Sequence, residues 1–148
     1  MIIGCDYSTK FIDLAFDDGG WMHFRIKVDQ ELEVLLEELK SIFEKQWEGS
    51  SSLHLYIERP WARYNVATGM SLQRISTIVD VVATQCGYYT HWVAIQSWRS
   101  KVFGKGKYTT DVAKQLSLQK AKELGISTKD HNISDAVCLA VYGMGDQG

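Results

Sequence analysis

The chain reads as an α/β protein. The expected fold is a five-stranded mixed sheet, a three-stranded antiparallel meander plus parallel strands, with helices on both faces. Three observations predict this. Residues 1–28 hold short apolar or alternating runs broken by turn signals, with no helical stripe. From residue 29 onward, stripes at helical spacing alternate with further short apolar runs. A meander that passes into alternating helices and strands adds its later strands by crossovers, whose helices cover the sheet.

The elements follow in order. Residues 2–7 read as a strand, in which the apolar run Ile2–Cys5 leads into Asp6. In residues 11–16, Ile12, Leu14 and Phe16 alternate with Phe11, Asp13 and Ala15, and the first set is assigned to the buried side. Asp17-Asp18-Gly19-Gly20 signals a turn into a third strand over 21–28, where Trp21, His23 and Arg25 alternate with Met22, Phe24 and Ile26. Asp29 is a candidate N-cap for a helix from about 30 to 47, with the stripe Leu32, Leu35, Leu36, Leu39, Ile42, Phe43, Trp47. Gly49–Ser52 is a loop and Leu53–Glu58 a fourth strand, which Pro60 cannot continue. A helix over about 66–86 ends at Gly87, and Tyr88–Ile95 is a fifth strand rich in aromatic and β-branched residues. Residues 97–103 suggest a short helical turn before Gly104-Lys105-Gly106-Lys107. Thr109 or Thr110 caps a helix running to Leu124 and closed by Gly125, and a last helix spans about 132–142.

Bulk properties narrow the function classes. A length of 148 residues and one proline imply a single domain over 1–148, with no linker. No apolar run approaches the roughly 20 residues that span a membrane. Met1 leads straight into a strand, which leaves no room for a signal peptide. Cys5, Cys86 and Cys138 are odd in number and set in apolar surroundings, so they are expected to be buried reduced thiols of a cytoplasmic protein. The net charge is −2, yet the charge is segregated. Residues 1–58 carry 12 acids against 5 bases, whereas residues 97–129 carry 8 bases against 2 acids. Such a local basic excess can contact phosphates, or it can be a solvated helix face with a basic loop.

Three carboxylates stand out. Asp6 ends the first apolar run, Glu58 ends the fourth strand, and Asp135 opens the apolar final helix. A charge at the end of a buried strand is costly without a partner, and hard oxygen donors suit Mg²⁺ or Mn²⁺. If the first and fourth strands are neighbours, Asp6 and Glu58 approach each other and Asp135 packs across from them. Two divalent ions clamped by such acids are suited to phosphodiester displacement, with Asp6 best placed to bridge them. Each acid also has an ordinary reading, Asp6 as a turn cap and Glu58 as the partner of Arg59.

Here the chain resembles the RuvC-type Holliday junction resolvases, in a compact form like those of phages and prophages. Ile3-Gly4-Cys5-Asp6 resembles the family's opening apolar-Gly-x-Asp strand. Glu58 is followed by Trp61, Asn65, Thr68 and Leu72 at the family's spacing. Phe103-Gly104-Lys105-Gly106 resembles the loop before its basic helix, and Asp130-His131-Asn132-Ile133-Ser134-Asp135-Ala136 with Leu139-Ala140 its closing acidic helix. The resemblance spans residues 2–143 and the order of elements matches the ribonuclease H fold.

What the resemblance implies is a homodimeric endonuclease, dependent on two Mg²⁺ or Mn²⁺ ions per site, that nicks two strands of a four-way DNA junction. Asp6, Glu58 and Asp135 would be its catalytic metal ligands. Trp61 would stack on an unpaired base, with Arg63, Tyr64 and Asn65 contacting the backbone beside it. Lys101, Lys105, Lys107 and Lys114 would meet phosphates. The chain departs from the family twice. The residue three before the last Asp is Asn132, so the fourth ligand is either Asn132 or His131, and Asn132 equally suits an N-cap. Asp130 is better read as a capping or loop residue. The family's catalytic lysine has no clear counterpart, Lys107 and Lys114 being the candidates. Leu72, Ile75 and Val79 could line the dimer interface or the core. A ribonuclease H-like nuclease of flaps, forks or RNA–DNA hybrids, a catalytically dead relative and an actin-like nucleotide-binding module are the competing readings. The last lacks a second Asp-Gly phosphate-gripping segment.

Overall fold

A computed structural model describes residues 1–46, 52–60 and 65–148. Its order is β1 (Ile2–Tyr7), β2 (Phe11–Asp17), β3 (Trp21–Lys27), α1 (Leu32–Lys45), β4 (His54–Glu58), α2 (Val66–Gln85), β5 (Tyr89–Val93), α3 (Ile95–Phe103), α4 (Thr110–Glu123) and α5 (His131–Gln147). The strands form one sheet in the order β3-β2-β1-β4-β5. The meander β1–β2–β3 is antiparallel, and β4 and β5 add in parallel on the other side of β1. The expected mixed sheet is therefore present, with β1 at its centre.

The side chains of β1 alternate between two cores. Ile3 and Cys5 join Ile12, Leu14, Phe16, Leu55 and Ile57 against the buried stripes of α1 and α2. On the opposite face α5 lies along β1, with α3 and α4 packed beside it. Gly4 makes this close approach possible, since a Cβ there would overlap the Ala136 carbonyl oxygen and the Ala140 amide nitrogen. Gly143 serves the same helix, where a Cβ would lie 2.5 Å from the Tyr56 ring.

Several boundaries differ from the sequence reading. α1 begins behind Glu31 with no side-chain cap, so Asp29 does not cap it. Trp47, the last residue of its predicted stripe, lies outside the described residues. β5 ends at Val93, because Ala94 is already the N-cap of α3, a full helix rather than a turn. Asp130 caps α5, in line with its reading as a capping residue, its carboxylate accepting from the Asn132 amide at 2.9 Å, and the alternative cap Asn132 is not used. Both faces of β2 are buried, because α5 covers the side holding Asp13 and Ala15. Cys5, Cys86 and Cys138 are buried, as expected of packed thiols. No helix among the described residues is long and apolar enough to cross a membrane.

Candidate active site

The three acids meet on the face covered by α5. β1 and β4 run parallel with Cys5 opposite Ile57, so Asp6 and Glu58 come one step later, side by side and on the same face. The Tyr7 hydroxyl donates to the Glu58 carbonyl at 2.9 Å and ties the two strand ends together. Gly4 seats α5 against β1, and that contact brings Asp135, one turn into the helix, towards Asp6.

Electrostatics record this proximity. Burial pushes the Asp6 carboxyl well above the usual carboxylate range, and the charges of Asp135, Glu58 and Asp13 push it further. Burial also raises Glu58, against the hydrogen bond from Trp98 and the charge of Arg99. Asp135 is pushed up to about 7 by burial, with Glu58 adding to the effect while a hydrogen bond from Ser117 and the charges of Arg99 and Lys114 oppose it. Among the described residues no ion pair reaches any of the three acids. Nor are three His, Cys, Asp or Glu side chains among the described residues drawn together closely enough to hold a metal ion. Buried and half-buried oxygen donors that repel one another and lack a bonded cation are nevertheless a donor set whose chemistry a hard divalent ion fits.

Each acid is held differently. Trp98, fully buried in α3, donates its indole N–H to Glu58 Oε1 at 2.8 Å. The Ser117 hydroxyl, on α4, donates to Asp135 Oδ1 at 2.5 Å. Asp13, opposite Asp6 in the antiparallel register, is fully buried and receives Arg25 Nε at 2.8 Å and His23 Nε2 at 2.9 Å. Arg25 also reaches Asp130 at 2.5 Å, which joins the meander to the start of α5. Burial alone would raise the Asp130 carboxyl, but Arg25 and the Asn132 amide hold it below the usual range.

The other sequence-predicted residues are variously placed. His131 and Asn132 are half-buried in the first turn of α5. Burial and the Lys114 charge lower the His131 pKa. Asn65 is exposed and caps α2, its side-chain oxygen accepting from the Thr68 amide at 2.9 Å. Trp61, Arg63 and Tyr64 lie outside the described residues. Lys105 and Lys107 are exposed in the loop before α4, where Gly104 and Gly106 take φ of 98° and 148° and the Tyr108 hydroxyl donates to the Gly104 carbonyl at 2.7 Å. Lys114 is near enough for its charge to act on Asp135 and His131. Lys101 instead lies over the Tyr142 ring at 5.1 Å. That is two turns, about 10 Å, down α5 from Asp135. Of the residues proposed for the interface, Ile75 and Val79 are core, while Leu72 is half-buried.

Sequence reasoning missed five supporting residues. Arg99 acts on Glu58, Asp135 and His131 by charge, and its Nε is buried without a hydrogen-bond partner among the described residues. Trp98 gave only an aromatic signal. The Asp13–Arg25 pair was legible, because the turn at 17–20 fixes the hairpin register that sets them opposite each other. Ser117 sits in a stripe of small residues, Ala113-Ser117-Ala121, the mark of a close helix contact. The strand histidines are partnered as well: His23 by Asp13, and His54 by His91 at 2.9 Å.

No protein-family model matches the chain and no curated protein sequence matches it significantly. Solved structures do. RuvC of Thermus thermophilus superposes with a TM-score of 0.69 at 11% identity, covering 97% of this chain and 96% of that one. The same protein in complex with a Holliday junction substrate gives 0.70 at 12% identity, covering 97% and 95%. The Fowlpox virus resolvase, solved with Holliday junction DNA, gives 0.57 at 11% identity, covering 99% and 97%. The chain therefore has the ribonuclease H-like fold of RuvC over nearly its whole length.

Proposed function

We propose that this chain is a structure-selective, divalent-metal-dependent endonuclease that resolves four-way DNA junctions. One observation carries the reading: three carboxylates, Asp6 buried and Glu58 and Asp135 half-buried, with no bonded cation among the described residues, gather at the ends of β1, β4 and the start of α5 in a RuvC-like fold. Asp6, Glu58 and Asp135 would hold two Mg²⁺ or Mn²⁺ ions, with His131 or Asn132 as a further ligand. Bound there, the ions would supply the positive charge that a phosphodiester displacement requires.

The remaining roles belong to the chain itself. Trp98 sets Glu58, and Asp13 with Arg25 and Asp130 sets the start of α5. Arg99 and Lys114 place positive charge where a scissile phosphate would enter. Lys105 and Lys107 extend that charge along the loop, and Lys101 would reach only a more distant segment of backbone. Trp61, Arg63, Tyr64 and Asn65 stand where the resemblance puts base stacking and backbone contacts; Asn65 would do so while its oxygen caps α2. Val66, Met70 and Val81 are exposed on α2 and suit a homodimer contact better than Ile75 or Val79, which the core uses. The whole chain would act as one nuclease domain of the cytoplasm.

The competing reading is a ribonuclease H-like nuclease of forks, flaps or RNA–DNA hybrids. A substrate panel in Mn²⁺ separates the two. Preference for the four-way junction over fork, flap, hybrid and linear duplex is expected. Equal cutting of all branched substrates, or a preference for the hybrid, would overturn junction selectivity.

A further inference from the structure

We propose that Ser117 is a positioning residue: from the basic helix α4 it fixes the Asp135 carboxylate in the setting that receives a divalent cation. The inference rests on the reading of Asp6, Glu58 and Asp135 as a cation site, and adds a determinant that lies in none of the motifs behind that reading.

The buried stripe of α4 is Ala113, Ser117 and Ala121. Small residues there let α4 approach α5 closely, and alanine would serve for packing alone. A fully buried hydroxyl is unfavourable unless its hydrogen bonds are made. Those of Ser117 are made towards one carboxylate. Its oxygen lies 2.5 Å from Asp135 Oδ1, 2.6 Å from Ser134 Oγ and 3.8 Å from Cys138 Sγ.

The proton count gives the direction. An ionised carboxylate only accepts, so the single hydroxyl hydrogen of Ser117 goes to Asp135. The Ser117 oxygen then accepts from the Cys138 thiol. Ser134 donates either to Ser117 or to the His131 carbonyl, 3.0 Å away. Every group is satisfied only when Ser117 points at Asp135. That bond fixes rotation of the carboxylate about its Cβ–Cγ axis. The charge of Lys114, one turn earlier on α4, acts on the same carboxylate. α4 thus brings both a fixed donor and a positive charge to the one acid that comes from a helix.

Partners that orient a metal ligand typically contribute about 10–100-fold to metal affinity or activity. The test is calorimetric titration of Mn²⁺ into the metal-free full chain, without DNA. Ser117→Ala is expected to weaken Mn²⁺ binding by about 10–100-fold. Ser117→Thr, which keeps the hydroxyl, should stay within about threefold of wild type. In the Asp135→Asn background, Ser117→Ala should add less than about threefold, because its target is already altered. Wild-type affinity in Ser117→Ala, or an equal loss in both backgrounds, would overturn the proposal. A wild type that binds no Mn²⁺ would instead remove the cation-site reading and this inference with it. Should circular dichroism show Ser117→Ala unfolded, Ser117→Cys, similar in size and a weak donor, is titrated against the same two outcomes.

Discussion

Removing the charge of Asp6 should stabilise the metal-free protein. Asp6 is 5% exposed, and burial with the charges of Asp135 and Glu58 raises its carboxyl. A raised carboxyl keeps its proton in the folded state at pH values where the unfolded chain has lost it. The folded state then binds more protons, so stability is full below the ordinary carboxylate pKa and falls as pH rises through the folded one. For Asp135 that window runs from 3.8 to about 7. Ionising a carboxylate shifted that far costs a few kcal/mol, at about 1.4 kcal/mol per pH unit. Asp6→Asn removes the cost at Asp6, including the repulsion it feels from Asp135 and Glu58, about 1–3 kcal/mol in all. For a chain of this size each kcal/mol moves the melting temperature by about 2–4 °C. At pH 8 in EDTA, Asp6→Asn should therefore melt about 3–10 °C above wild type, and the gap should close towards pH 4. Excess Mg²⁺ should reverse the order, since a ligand at 100 times its Kd adds about 2.7 kcal/mol to the form that binds it. Scanning calorimetry over pH 4–8, with and without Mg²⁺, reads all three effects. An Asp6→Asn protein that melts at or below wild type at every pH would refute the argument that these acids are buried against one another.

Further outcomes follow from the same geometry. Gly4→Ala forces a methyl into the α5 backbone, so it should destabilise by at least about 3 kcal/mol and lower the melting temperature by roughly 10 °C. Trp98→Phe keeps the ring packing but loses the bond to Glu58. Single-turnover cleavage should slow about tenfold with junction affinity unchanged, and unchanged cleavage would show that the bond is incidental. Arg25→Met leaves buried Asp13 with only the His23 imidazole beside it, at a cost of about 3–5 kcal/mol in urea unfolding, and Asp13→Leu in the same chain should recover most of it.

The sheet was legible because its determinants are local. Alternation in β2 and β3, the Asp17–Gly20 turn and the Leu stripe of α1 each act within a few residues. The acids were legible for a related reason, as charges ending apolar runs are conspicuous. The supporting residues on the helices were not, because their roles depend on which helix lands on which strand. Trp98 reads as core until α3 folds back onto Glu58, and Ser117 reads as a small spacer until α4 meets α5. Asp13 was assigned to the open face of β2 because alternation suggested only one buried side. Asp130 outcompeted Asn132 as the cap because Arg25, from a distant strand, holds it in place.

The most direct measurement is a gel assay of a synthetic four-way junction beside a linear duplex of matched sequence. It is run in Mg²⁺, Mn²⁺ or EDTA with wild type, Asp6→Asn, Glu58→Gln and Asp135→Asn. Paired nicks confined to the junction are expected, dependent on metal and absent from each folded variant. Cleavage that persists in EDTA, or that survives loss of any one of the three acids, would contradict the assignment of Asp6, Glu58 and Asp135 as one metal-dependent catalytic centre.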